Sequence, residues 1–160
     1  MPVSDPQLEA NKDLARRFVE AFDARDLAAV DDLLADDFVW HVAVTSDEET
    51  EYRPFQSQLL KRTGTMLPPL RQNREETLAY FANMMSGDVD EDHRFRLRLT
   101  NVVAEGDQVV FEALSDMASP INDRRYRNVY SIHLRVRDGK ITLYKEYQDT
   151  LHIFDTFVAE

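Results

Sequence analysis

YRNVYSIHLRVRDGKITLYKEYQD, running from Tyr126 to Asp149, is the stretch that decides the fold. Asp138-Gly139 sits at its centre, and Asp-Gly is favoured in two-residue hairpin turns because both central positions need positive φ. The flanks alternate with a period of two, so they read as two antiparallel strands. On the first, Tyr126, Asn128, Tyr130, Ile132, Leu134 and Val136 share a face, while Arg125, Arg127, Ser131, His133, Arg135 and Arg137 share the other. The inner face therefore has an aliphatic base and a polar end, Tyr126, Asn128 and Tyr130. A greasy floor with a few convergent hydrogen-bonding groups is how small-molecule sites are usually built. An unbroken hairpin pairs Asn128 with Asp149 and Ser131 with Glu146, which turns Asp149 inward and Glu146 outward.

Working upstream, His93 to Ala104 alternates as well, with Phe95, Leu97 and Leu99 opposite Arg94, Arg96 and Arg98. Gly106-Asp107 turns it back into a strand from Gln108 to Ser119. Parity across this turn puts Glu112, Leu114 and Asp116 on the face of Leu97 and Leu99. There a carboxylate is desolvated and its pKa rises, which suits a general acid or base at neutral pH. The alternative is that Asp116 lies at a rim, solvated or paired with an arginine.

The N-terminal half is helical. Leu14, Phe18 and Phe22 recur every fourth residue beside Ala15 and Val19, predicting a helix over Asp5 to Ala24 with Ser4 as N-cap and Pro6 in the first turn. Ala24-Arg25-Asp26 breaks it, and Asp26 caps a short second helix whose buried stripe is Leu27, Val30, Leu33 and Leu34. FVWHVAVT, Phe38 to Thr45, is a strand on which Trp40 and His41 point to opposite faces. His41 is either a general acid or base, or a satisfied core or interface histidine. Ser46 to Gln72 is irregular, acidic and then proline-bearing, as expected of a lid or a partly disordered loop. Asn73 and Glu76 form a capping box for a third helix, Arg74 to Ser86, burying Leu78, Phe81, Ala82 and Met85. The expected fold is one α+β domain. Three helices cover the concave side of a strongly curved antiparallel sheet, a cone-shaped barrel enclosing one deep pocket. Leu97, Leu99, Ile132 and Leu134 form the pocket floor.

Composition narrows the function. The chain has 160 residues, enough for one core, and a net charge of -11, which argues against nucleic acid as a partner. Its clustered arginines are therefore expected to decorate a solvent or subunit face. Cysteine is absent, which excludes disulfides and thiolate chemistry. No apolar run approaches a membrane span, and Met1 to Asp5 has no secretory pattern, so a cytoplasmic protein is expected. His93 and His152 are isolated, no metal-ligand spacing occurs, and with 4 glycines there is no phosphate-binding loop. A nucleophile elbow is likewise missing.

NKDLARRFVEAFDARDLAAVDDLLADDFVWH, Asn11 to His41, resembles the opening of SnoaL-like proteins of the nuclear transport factor 2-like superfamily. Tyr126-Arg127-Asn128-Val129-Tyr130, Arg137-Asp138-Gly139-Lys140-Ile141 and Lys145-Glu146-Tyr147-Gln148-Asp149 resemble that family's final hairpin. The resemblance implies a cone-shaped fold that commonly dimerises through the outer sheet face, and a superfamily of isomerases, cyclases, hydrolases, dehydratases and noncatalytic modules. It matches Glu146 to the last-strand carboxylate that serves as acid or base in limonene epoxide hydrolase-like and phenazine-biosynthesis-like members. Asp116 matches the partner aspartate of the epoxide hydrolases. Leu114, however, stands where those enzymes have an arginine, and Val39 and His41 stand where they have tyrosine and asparagine. Ketosteroid isomerase shares the fold but not a matching residue set.

Family and parity disagree over Glu146. A bulge near Tyr144 or Lys145 would turn it inward, and the resemblance favours that arrangement. The expected catalytic residues are Glu146, Asp116 and His41. Phe18, Trp40, Leu97, Asn128, Tyr130 and Asp149 are expected to contact ligand. The expected function is cofactor-free acid/base chemistry, without a metal, on a small hydrophobic, polyketide- or steroid-like ligand in a homodimer. The alternatives are a noncatalytic ligand-binding module and a structural dimer in which Ser131, His133 and the outer arginines form the interface.

Overall fold

The computed structural model describes residues 5–42, 71–86 and 90–157. Helix α1 (Pro6–Asp23) opens with Pro6 and is capped by Asp5, whose Oδ1 accepts from the Gln7 backbone N–H at 2.9 Å. Asp5 thus takes the capping role expected of Ser4, which lies outside the described residues. Leu14, Ala15, Phe18, Val19 and Phe22 are all buried, as the fourfold spacing requires. Asp26 caps α2 (Leu27–Leu33) by accepting from Ala29 N–H at 3.0 Å. The reciprocal Asn73–Glu76 capping box opens α3 (Arg74–Met85), with both bonds at 2.9 Å. Thr77 and Phe81 are the buried residues of α3; Leu78, Ala82 and Met85 are half-buried.

The strands are β1 (Leu34–Val42), β2 (Arg71–Asn73), β3 (Arg96–Glu105), β4 (Gln108–Ala118), β5 (Arg125–Tyr126), β6 (Val129–Arg137) and β7 (Lys140–Gln148). They form one sheet in the order β2-β1-β7-β6-β4-β3, with β5 added to β4. Among the described residues β2 and β3 do not pair, so the sheet curls without closing into a barrel. It is mixed, not wholly antiparallel: β1 runs parallel to β7. A parallel pair needs a long crossover, which most of the chain between β1 and β7 supplies. The expected lid, 46–72, lies outside the described residues except for Arg71 and Gln72. So do residues 43–45 of the expected first strand.

Asp138 and Gly139 adopt φ of 52° and 72°, the turn that the Asp-Gly pair announces. Both long hairpins nevertheless contain a bulge. In β3, Leu99 pairs with Ala113 but Asn101 pairs with Glu112, leaving Thr100 extra. In β7, Ile141 pairs with Val136 but Leu143 pairs with Arg135, leaving Thr142 extra. One extra residue reverses the facing of everything beyond it.

The last described element is a fourth helix, α4 (Thr150–Phe157), beyond the three helices expected from the sequence. Asp149 Oδ1 accepts from Leu151 and His152 N–H at 2.9 and 3.1 Å, stopping the strand by capping the helix. Ile153 and Phe157, one turn apart, then pack with Met117 and Tyr126 in a small second core. No helix among the described residues is long and apolar enough to cross a membrane.

Candidate functional site

The Thr142 bulge decides where Glu146 points. It places Glu146 opposite Ile132 on β6 and level with Val42 on β1, hence on the inner face. The bulge lies two to three residues before the expected position, but its consequence is the one the resemblance implies. Among the described residues Glu146 is the only acidic side chain that is buried, at 8% exposure. Burial disfavours its charged form and pushes its pKa up to about 7, opposed only by the indole N–H of Trp40. That N–H faces the carboxyl yet has no full hydrogen bond among the described residues.

The walls around this carboxyl are aromatic. Trp40 packs on Tyr80, Phe81 and Tyr144, with ring centroids 5.5, 5.1 and 5.9 Å apart. Phe18 of α1 lies 5.3 Å from Tyr144. Tyr144 and Tyr130 have hydroxyl pKa values well above the usual range, and that of Tyr126 is pushed to about 12. Burial is the main cause in each, and the Glu146 carboxylate adds to all three. These phenols are therefore neutral donors at any ordinary pH.

Behind them runs a buried polar network. Asn128 Nδ2 donates to Tyr126 Oη at 2.8 Å, and the Tyr126 and Tyr130 hydroxyls lie 3.0 Å apart. Asn128 also clamps the strand end, donating to Asp149 O and accepting from Asp149 N–H, both at 3.1 Å. Its own N–H donates to Ser115 Oγ at 3.0 Å. Ser115 faces inward because the Thr100 bulge pairs it with Leu97.

Of the expected ligand-contacting residues, Phe18, Trp40, Leu97, Asn128 and Tyr130 are buried on this inner side. Asp149 is not: it is exposed, and its carboxylate caps α4. The same Thr100 bulge turns Asp116 outward, opposite Arg96. Its Oδ1 pairs with Arg125 at 2.5 Å and Arg127 at 3.2 Å, and those bonds hold its carboxyl below the usual range despite some burial. The desolvated Asp116 expected from parity is thus replaced by an ion-paired rim carboxylate. His41 is buried but lies on the sheet face opposite Trp40, level with Lys145. The structure does not bring it together with Glu146. Residues that sequence reasoning missed are Ser115, Tyr144 and Gln72. Tyr144 follows from the same parity slip as Glu146, whereas Gln72 has no local signal at all.

A separate open groove of about 500 Å³ lies between α1 and β3, lined by Arg16, Glu20, Asp23, Arg94, Leu97 and Arg98, among others. Of the candidate site residues it includes Leu97 alone.

A family model for the SnoaL-like domain matches residues 15–144. No curated protein matches the sequence. Among solved structures, a candidate SnoaL-like polyketide cyclase from Jannaschia sp. CCS1 superposes with a TM-score of 0.71 at 14% identity, covering 100% of this chain and 99% of that one. An LEH-like epoxide hydrolase of M. tuberculosis gives 0.66 at 19% identity, over 96% and 92% of the two chains. An NTF2-like protein of unknown function from Burkholderia pseudomallei K96243 gives 0.67 at 19%, over 94% and 98%. At such identities the likeness is one of fold. The family match spans most of the chain, and the chain belongs to the SnoaL-like domain family.

Proposed function

We propose that this protein is a cofactor-free small-molecule enzyme that moves a proton on a hydrophobic ring substrate, with Glu146 as its single acid/base group. The carrying observation is the one carboxyl buried among the described residues, whose pKa lies near 7 within an aromatic wall. Such a group holds comparable populations of both protonation states at neutral pH, which is what a group that must both take and return a proton needs. As carboxylate it removes a proton from a carbon next to a carbonyl: the C–H bond breaks, an O–H bond forms on Glu146, and an enolate results. As carboxylic acid it returns that proton in one of three ways: to a second carbon of the conjugated enolate, to the oxygen of a second carbonyl whose carbon the enolate attacks to close a ring, or to a β-hydroxyl that leaves as water as the enolate collapses to an alkene. Isomerisation, cyclisation and dehydration are these three endings. Neutral Tyr130 and Tyr126 fit the role of nearby hydrogen-bond donors.

Epoxide hydrolysis fits less well. Asp116 faces outward, and Leu114 takes the place of an arginine beside it. The direct test is deuterium uptake from heavy water by neutral polycyclic ketones, followed by mass spectrometry. Wild type is expected to catalyse uptake; Glu146→Gln is expected to lose roughly two to four orders of magnitude of rate. Asp116→Asn is expected to stay within about twofold, since an exposed ion pair contributes little. Tight binding without any catalysed uptake would instead favour a ligand carrier.

The homodimer belongs to the same proposal. Val129 and Tyr147 stand 58% and 41% exposed on the outer sheet face, where His133 packs edge-on against Tyr147 at 5.2 Å. Sedimentation through the micromolar range is expected to show a dimer, and Val129→Lys to shift it toward monomer.

A further inference from the structure

Gln72 is 3% exposed, and its side-chain Nε2 has no hydrogen-bond partner among the described residues. Its position is set by β2. The residue pairs directly with Trp40, and directly paired residues put their side chains on one face of a sheet. Trp40 in turn is level with Tyr144, and Glu146 lies two residues further along β7. Gln72 Nε2 and Trp40 Nε1 are thus two buried donors, neither fully bonded, on the wall that carries the acid/base carboxyl. Buried donors are normally satisfied, because leaving one unmade costs its full desolvation. Two of them on one wall mark a place for an acceptor that arrives from outside the protein.

The spacing suits a ring compound. Gln72 and Glu146 are two strand intervals apart across the sheet and two residues apart along it, about 12 Å between backbones. Side chains stand roughly perpendicular to a sheet and keep about that separation, so a ligand lying over Trp40 and meeting both is about one or two fused rings long. Charge narrows the acceptor further. The buried polar residues among those described include no lysine or arginine, so this wall offers neutral donors to an incoming oxygen. From the described residues a carboxylate or phosphate would gain no buried counter-charge, and it would sit beside Glu146.

We propose that Gln72, assisted by Trp40, binds the carbonyl oxygen of a neutral one- or two-ring ketone and directs its reacting carbon toward Glu146. This rests on the proton-transfer reading above and names the substrate class for it. Gln72 is then a substrate-binding residue, and Trp40 shares its N–H between the carboxyl and the ligand oxygen.

Trp40 is the single tryptophan of the chain, so its fluorescence reports occupancy of this wall directly. The probes are 1-tetralone and tetralin, which differ by one carbonyl oxygen. Wild type is expected to bind the ketone about tenfold more tightly than the hydrocarbon, the value of one good hydrogen bond. Gln72→Met, close in volume but without a donor, is expected to lose that tenfold preference and keep its affinity for tetralin. Without ligand it is expected to melt at or above the wild-type temperature, because an unsatisfied donor has been removed. Gln72→Leu is a second variant with the same expectations. A preference for tetralone that survives in both variants overturns the subsite. So does a marked loss of melting temperature in both, which would reveal a structural partner for Gln72. In either case deuterium uptake that depends on Glu146 would leave the proton-transfer reading standing. Failure of wild type to bind either compound saturably would overturn the subsite, and absence of Glu146-dependent deuterium uptake would separately overturn the proton-transfer reading.

Discussion

Replacing Glu146 with glutamine is expected to stabilise the protein at pH 8 while removing its turnover. The sign comes from linkage. Burial raises the Glu146 pKa from 4.5 to about 7, so between those values the folded state binds more proton than the unfolded chain. Stability contributed by this group is therefore complete below about pH 4.5, falls as pH rises, and levels off above about 7. The total is on the order of 3 kcal/mol. Glutamine keeps the shape and never ionises, so the variant escapes the loss. For a chain of this size, that difference corresponds to a melting temperature roughly 6 to 12 °C higher at pH 8. At pH 4 the two proteins are expected to melt together, because wild-type Glu146 is then protonated in both states. Melting curves of both proteins from pH 4 to 9 check this, and subtracting them removes every other titration. Equal melting at all pH values would show that Glu146 is not desolvated and would remove the basis of the proposed chemistry. A gain in stability coupled to a loss of activity is the signature of a group held in an unfavourable place for its reactivity.

Asn128→Leu is expected to be the most damaging single change of similar volume at the site, costing about 3 to 5 kcal/mol. The side chain is 1% exposed and makes four hydrogen bonds to three residues. It donates to Tyr126 Oη and Asp149 O, and accepts from Asp149 N–H and from Val129 N–H at 2.7 Å. Leucine fills the volume and leaves those groups unmade inside the protein, and unmade buried groups carry their full desolvation cost. The damage should also be local. Asn128 clamps Asp149, Asp149 caps α4, and α4 supplies Ile153 and Phe157 to the second core around Tyr126. Denaturant titration measures the loss, and amide exchange is expected to show residues 149–157 opening before β6 and β7 do. Uniform protection across the chain, with stability unchanged, would show that the clamp is not what holds α4.

Much of the architecture is legible in local sequence because its causes are local. The stripe of Leu14, Phe18 and Phe22 can be buried only as a helix, and Asp26 and Asn73 cap the helices that begin at Leu27 and Arg74. Asp138-Gly139 can turn a chain tightly because both residues tolerate positive φ. Asn128 and Tyr130 were assignable to the inner face because no bulge separates them from the aliphatic run of β6. The fourth helix was legible in principle: Asp149 as cap and Ile153, Phe157 at helical spacing are ordinary signals, outweighed by the strand pattern before them.

The facing of the two candidate carboxylates was a different matter. Counting back from the turns assigns Asp116 inward and Glu146 outward, and single extra residues at Thr100 and Thr142 reverse both. A bulge adds one residue to one strand and leaves the alternating pattern on each side of it intact, so no local signal marks it. It is held by the neighbouring strands, which choose the register that buries most apolar surface. The parallel seating of β1 on β7, and with it the placement of Gln72, Trp40 and Glu146 on one wall, has the same origin. By itself the sequence of Tyr126 to Asp149 determined a hairpin with an aliphatic floor and a polar end. Which carboxyl that hairpin presents to the interior was decided only by tertiary packing, because facing in a strand depends on a count of residues across the whole sheet.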